Sequence, residues 1–176
     1  GAGGRQPSAL RPSEALLGEM SANAYLSGIV SAAKQHFATQ GDGNHFLYVG
    51  HLKSTGELAI VTHHGSRNVG GQLYKRGMAV AKKHTKIHSP RTPEHNAWID
   101  ANSTDGEAYW AALQLAREWT RLNHFVIHEM MQQAMGNAVV GRMWNEHNFV
   151  FRKSDGLFYH GKGATPSFDG YSKDDS

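Results

Sequence analysis

Between Asp105 and Met135 the chain sets Ala112, Leu115, Trp119, Leu122, Val126 and Met130 at helical spacing along one face. Gly136 and Asn137 follow, as expected where a helix stops. The pattern predicts one long helix, and every other element has to be arranged around it. Its Trp110 and Trp119 could offer stacking surfaces to bases, but their spacing is that of core packing.

The remaining elements are shorter. Residues 12–37 predict a helix, with Ser13 and Glu14 at its start and Ala24, Ile29, Ala32 and Ala33 as apolar positions. HFLYVGHL and ELAIVTHH predict two strands joined by the polar turn Lys53–Gly56, hence a hairpin. Val69 to about Lys83 predicts a further helix with a basic face of Lys75, Arg76, Lys82 and Lys83, read as solvated rather than as an RNA track. HSPRTPEHN breaks it into a surface loop. RMWNEHNFVFRK is strand-like, Asp155–Gly156 makes a turn, and LFYHGKGAT returns as strand or loop. No repeat or linker is evident, so a single domain over 1–176 is expected, with a loose Gly- and Pro-rich start over 1–12.

Composition narrows the chemistry. The 176 residues carry a net charge of +3 with histidine neutral, which permits RNA or nucleotide binding without requiring it. Twelve histidines and no cysteine make imidazole an available metal ligand and leave no thiolate. The missing disulfides favour a cytoplasmic address, and no run is apolar enough to span a membrane.

Three histidine motifs then stand out: GDGNHF at 41–46, HHGSR at 63–67 and NEHN at 145–148. Each sets a histidine beside glycine or an amide in segments that read as strand ends. Imidazoles suit manganese or zinc, glycines let backbone approach an oxyanion closely, and Asn44, Asn148 and Arg67 are natural donors to phosphate oxygens. GDGNHF alone is no nucleotide fingerprint. His124 and His128 stand four residues apart, a spacing that can clasp zinc, but without HExxH or companion ligands they are read as structural.

Taken in order, QGDGNHF, THHGSRNVGGQLY, the long helix with its central Asn123, NEHNF and HGKGAT resemble the RtcB family of RNA ligases over roughly residues 37–167. The resemblance implies an α+β fold with a mixed, β-rich core and surrounding helices, here incomplete. It implies an activity that joins RNA 3′-phosphate or 2′,3′-cyclic phosphate ends to 5′-hydroxyl ends, using GTP and manganese, with zinc or another divalent ion as alternatives. By the same resemblance His45, His63 and His147 are the expected metal ligands, with His64 open as an alternative to His63. Asn44, Arg67, Asn148 and Lys162 are the expected contacts to nucleotide or phosphate. RNA, GTP and a second polypeptide completing the site are the expected partners.

The sequence also departs from the family pattern. Tyr48 stands where the family has an acidic residue, His64 where it has serine, and Gly161 and Pro166 where it has arginines. The family's Asp and bridging Cys upstream of GNHF have no counterpart here, nor has the SHGAG-like motif whose histidine takes up GMP. Family members are much longer, so an internal fragment or one part of a split gene is expected, with the nucleophilic histidine outside the chain. Two alternatives stand beside the ligase: a non-catalytic RNA- or nucleotide-binding module or subunit, and a metal-dependent cyclic phosphodiesterase.

Overall fold

A computed structural model describes residues 11–153 and 155–165. All but two residues of the start expected to be loose, and Pro166, lie outside them. The fold is α+β. It divides into two compact units, residues 1–134 and 135–176.

The first unit begins with α1, Glu14–Ala22, whose start is capped by Ser13: its Oγ accepts the Leu16 N–H at 3.2 Å. The single helix expected over 12–37 is interrupted. Asn23 turns extended, its Oδ1 accepts the Tyr25 N–H at 2.9 Å, and its Nδ2 donates to the Ala108 carbonyl at 2.8 Å. A side chain that satisfies neighbouring backbone in this way competes with the helix ladder, and here it wins. The chain resumes through a 3-10 turn at Ser27–Ile29 into α2, Val30–His36.

Strands β1, Phe46–His51, and β2, Leu58–His63, form the expected antiparallel hairpin, with Phe46 opposite His63 and Tyr48 opposite Val61. Gly56 closes the turn at φ +74°, which glycine adopts freely. Helix α3, Val69–His88, runs five residues past Lys83 before Pro90 ends the helical pattern. Its basic face is narrower than expected. Lys75, Lys82 and Lys83 are exposed, but Arg76 turns inward and donates from Nη1 to the Tyr25 carbonyl at 2.7 Å.

Helix α4, Thr104–Met135, is the long element foreseen. Ser103 Oγ accepts the Gly106 N–H at 3.1 Å, and a Cβ on Gly106 would stand 2.0 Å from the Asp100 carbonyl oxygen, so only glycine fits there. The deeply buried line is Ala112, Ala116, Trp119, Asn123 and Ile127, rotated slightly from the apolar stripe. Leu115, Leu122 and Val126 pack at its flank, and Met130 is exposed. Trp119 is fully buried and meets Phe37 edge-on, with centroids 5.9 Å apart, so the core reading of this tryptophan holds. Leu16, Leu17, Met20, Leu26, Ile29 and Leu73 complete the centre of the core, which is lined by helices while β1 and β2 lie outside it.

In the second unit the strand expected over 142–153 shrinks to β3, Val150–Arg152, paired antiparallel with β4, Phe158–His160. The cause is local. Asn148 sits at φ +56°, outside the extended region, and Trp144 Nε1 folds back to donate to Glu146 Oε1 at 3.0 Å.

Candidate functional site

His45 follows a turn in which its own N–H reaches the Asp42 carbonyl at 3.3 Å and Gly43 takes φ +69°. Its ring lies directly on the backbone of two glycines. A Cβ on Gly41 would come within 1.5 Å of His45 Nδ1, and one on Gly65, itself at φ +57°, within 2.6 Å of Nε2. Glycine is therefore required at both positions for the ring to lie where it does. His45 Nδ1 is buried without a hydrogen-bond partner among the described residues. The His63 ring stands 5.5 Å from it, centroid to centroid, and Asn44 Nδ2 makes a long contact of 3.5 Å to His63 Nε2. These three expected residues come together.

His64 points elsewhere. It is fully buried, with neither ring nitrogen hydrogen-bonded among the described residues, and its ring lies 4.9 Å from that of His124. Burial holds the His64 imidazole down at a pKa of about 4, helped by the neighbouring rings of His124, His128, His45 and His63. His124 is also pushed to about 4, first by burial and then by the rings of His128, His63 and His45, against a hydrogen bond to the Thr120 carbonyl that works the other way. Both are neutral at pH 7.

Arg67 lies in the loop between β2 and α3 at φ +45°, with Asn68 after it at φ +71°. Its Nε donates to Thr39 Oγ1 at 3.2 Å, and Asn123 Nδ2 approaches the Thr39 carbonyl at 3.5 Å. The Ser66 hydroxyl accepts the Gly70 N–H at 3.1 Å and so serves the start of α3 in place of Asn68. Tyr48, at the position where an acidic residue was missed, is 62% exposed on β1.

The other expected residues belong to the second unit. His147 and Asn148 are exposed, with His147 Nδ1 and Asn148 Nδ2 3.1 Å apart. Asn148 Oδ1 accepts the Gly163 N–H, and Thr165 Oγ1 donates to the Glu146 carbonyl at 2.6 Å. Exposed Lys162 is thus carried on a loop anchored to Asn148. The left-handed backbone at Asn148 that cuts the strand short is what turns its amide toward this loop.

Among the described residues no three His, Asp or Glu side chains stand in an arrangement ready to hold a metal ion. The first unit nevertheless has the chemistry for part of one. His45 and His63 are paired imidazoles, and the buried Nδ1 of His45 has no hydrogen-bond partner among the described residues, which suits a borderline divalent cation.

What the sequence reading missed is the use of His124 and His128. Their spacing was visible, but their partners are sixty or more residues away: the His64 N–H donates to His124 Nε2 at 3.0 Å, and Thr62 Oγ1 lies 2.7 Å from His128 Nε2.

No helix among the described residues is long and apolar enough to cross a membrane. No curated protein and no solved structure matches the chain. The family model described as tRNA-splicing ligase RtcB matches residues 12–174, and the chain therefore belongs to the RtcB family of RNA ligases.

Proposed function

We propose that this chain supplies metal- and phosphate-holding residues to a ligase that joins RNA 3′-phosphate or 2′,3′-cyclic phosphate ends to 5′-hydroxyl ends with GTP. The observation that carries the reading is the His45–His63 pair, with ring centroids 5.5 Å apart and the His45 ring seated on glycines at 41 and 65. His45 and His63 would hold manganese or a similar divalent ion, and by the family resemblance His147 would also serve as a metal ligand. When bound, such an ion neutralises charge that builds on transferring phosphoryl oxygens. Asn44 and Asn148 offer amide N–H groups, and Arg67 and Lys162 offer charge-assisted donors, to orient the phosphates of GTP and of the RNA end.

The test is manganese binding by calorimetry. His45→Ala and His63→Ala are expected to weaken it at least about tenfold, the scale on which even outer-shell groups act. His51→Ala, an exposed strand residue, should leave it unchanged. Equal affinity in all four proteins would overturn the assignment.

The tyrosine at position 48, where the family has an acidic residue, favours a second reading, in which the chain binds nucleotide or RNA without catalysing ligation by itself. Radiolabelled GTP with manganese separates the two. The second reading expects GTP to be bound without a covalent GMP adduct, and a labelled band from these 176 residues alone would refute it.

A further inference from the structure

We infer that His124 and His128 form a clasp that positions His63, acting on it through the residues on either side. This inference rests on the reading of His63 as a metal ligand. His63 is the last residue of β2, and its neighbours in the chain are both tied to α4: Thr62 Oγ1 to His128 Nε2 at 2.7 Å, and the His64 backbone N–H to His124 Nε2 at 3.0 Å.

The two anchors match in length. Thr62 and His64 are two residues apart on extended chain, about 6.6 Å at strand rise. His124 and His128 are one helical turn apart, about 6 Å at helix rise. Two imidazoles four residues apart on α4 can therefore meet Thr62 on β2 and the His64 N–H just past its end without strain in either element. Side chains alternate along a strand, so when Thr62 faces the helix His63 faces away from it. The clasp thus leaves the His63 ring beside His45.

His124 is also held in one tautomer. Its Nδ1 lies 2.8 Å from the Thr120 carbonyl and must donate, which leaves Nε2 as the acceptor that the His64 N–H requires. Both nitrogens of His124 and the Nε2 of His128 are spent on structure. The pair that looked like a zinc clasp holds a strand, and these contacts make both histidines positioning residues rather than ligands.

Three variants test this, each read two ways: manganese affinity by calorimetry, and hydrogen exchange of the His64 amide by NMR. His124→Ala removes the acceptor, His124→Gln keeps one near the Nε2 position, and Thr62→Val removes the hydroxyl while keeping the β-branched shape. His124→Ala is expected to lose manganese affinity about tenfold, and to expose the His64 amide to exchange. His124→Gln should recover most of both. Thr62→Val should lose affinity about fivefold, the order of one ordinary hydrogen bond.

Should His124→Ala fail to fold, His124→Gln and Thr62→Val still decide the matter. Wild-type affinity in Thr62→Val together with a fast-exchanging His64 amide in folded His124→Gln would overturn the clasp, as would wild-type affinity in folded His124→Ala. A wild-type chain that takes up no manganese would instead sink the ligand reading of His63 and this inference's metal half. In that case a protected His64 amide in His124→Gln and its loss in His124→Ala would still establish the clasp.

Discussion

The two groups of candidate residues are built in opposite ways. In the first unit His45 rests on glycine backbone from both 41 and 65, and the strand end carrying His63 is tied to a helix sixty residues on. In the second unit His147, Asn148 and Lys162 are exposed, and Asn148 is held through its side-chain amide to His147 beside it and to the Gly163 N–H fifteen residues on. Orientation in the first group is fixed by tertiary packing, so it should resist local change and fail abruptly when the packing is breached. Orientation in the second is set by single hydrogen bonds in contact with water, so it should weaken gradually.

The sharpest way to break the contrast is Gly41→Ala. The new methyl would occupy the place of His45 Nδ1, and the ring has to swing away because the backbone at 41 cannot. Manganese affinity should fall at least about tenfold, as for loss of a supporting group around a ligand. Folding should change little, since the displaced group is a side chain. Calorimetry paired with thermal melting checks both halves, and an unchanged affinity would show that the glycine seat does not orient the ring.

Acid should separate the two units next. His64 and His124 have folded pKa values of about 4 against an ordinary 6.5, so the native state binds fewer protons than the unfolded chain between these values. Their contribution to stability is complete above pH 6.5 and is lost as pH falls toward 4, at up to about 1.4 kcal/mol per pH unit for each group. Urea unfolding of the first unit, followed at pH 7, 5.5 and 4.5 with a chelator present, should show this decline. His64→Ser should flatten it. An acid profile identical in the variant would mean that His64 does not titrate in the manner its burial requires.

These same residues show how far the sequence could be read. Helix α4 and the β1–β2 hairpin were legible because periodicity and turn chemistry act over a few residues. The motif order was legible too, and it pointed to the family. The break at Asn23 was not, because its side chain is claimed by the Ala108 carbonyl, 85 residues later. The shortening of β3 was not, because the left-handed backbone at Asn148 leaves no mark in a hydrophobicity pattern. Arg76 looked like one of four exposed cations until the Tyr25 carbonyl claimed it. In each case the deciding partner is distant or conformational, and residue type alone does not name it. The metal role of His45, His63 and His147 stands on resemblance and, for the first two, on proximity.

The smallest effect is expected from Asn148→Ala, and it probes the looser half of the comparison. Asn148 Oδ1 is the acceptor for the Gly163 N–H, and that bond anchors the loop carrying Lys162. All three groups are exposed, so water can replace the lost partner, and the net loss is that of one ordinary hydrogen bond, about 1 kcal/mol. The loop would sample more conformations, and a phosphate contact made by Lys162 would weaken by roughly fivefold, the affinity equivalent of that energy. A titration with GTP at fixed manganese should show this decrease, while the melting of the first unit stays at its wild-type value. A loss as steep as that of Gly41→Ala would erase the contrast between the two units, because it would make Asn148 as critical to orientation as the glycine seat of His45.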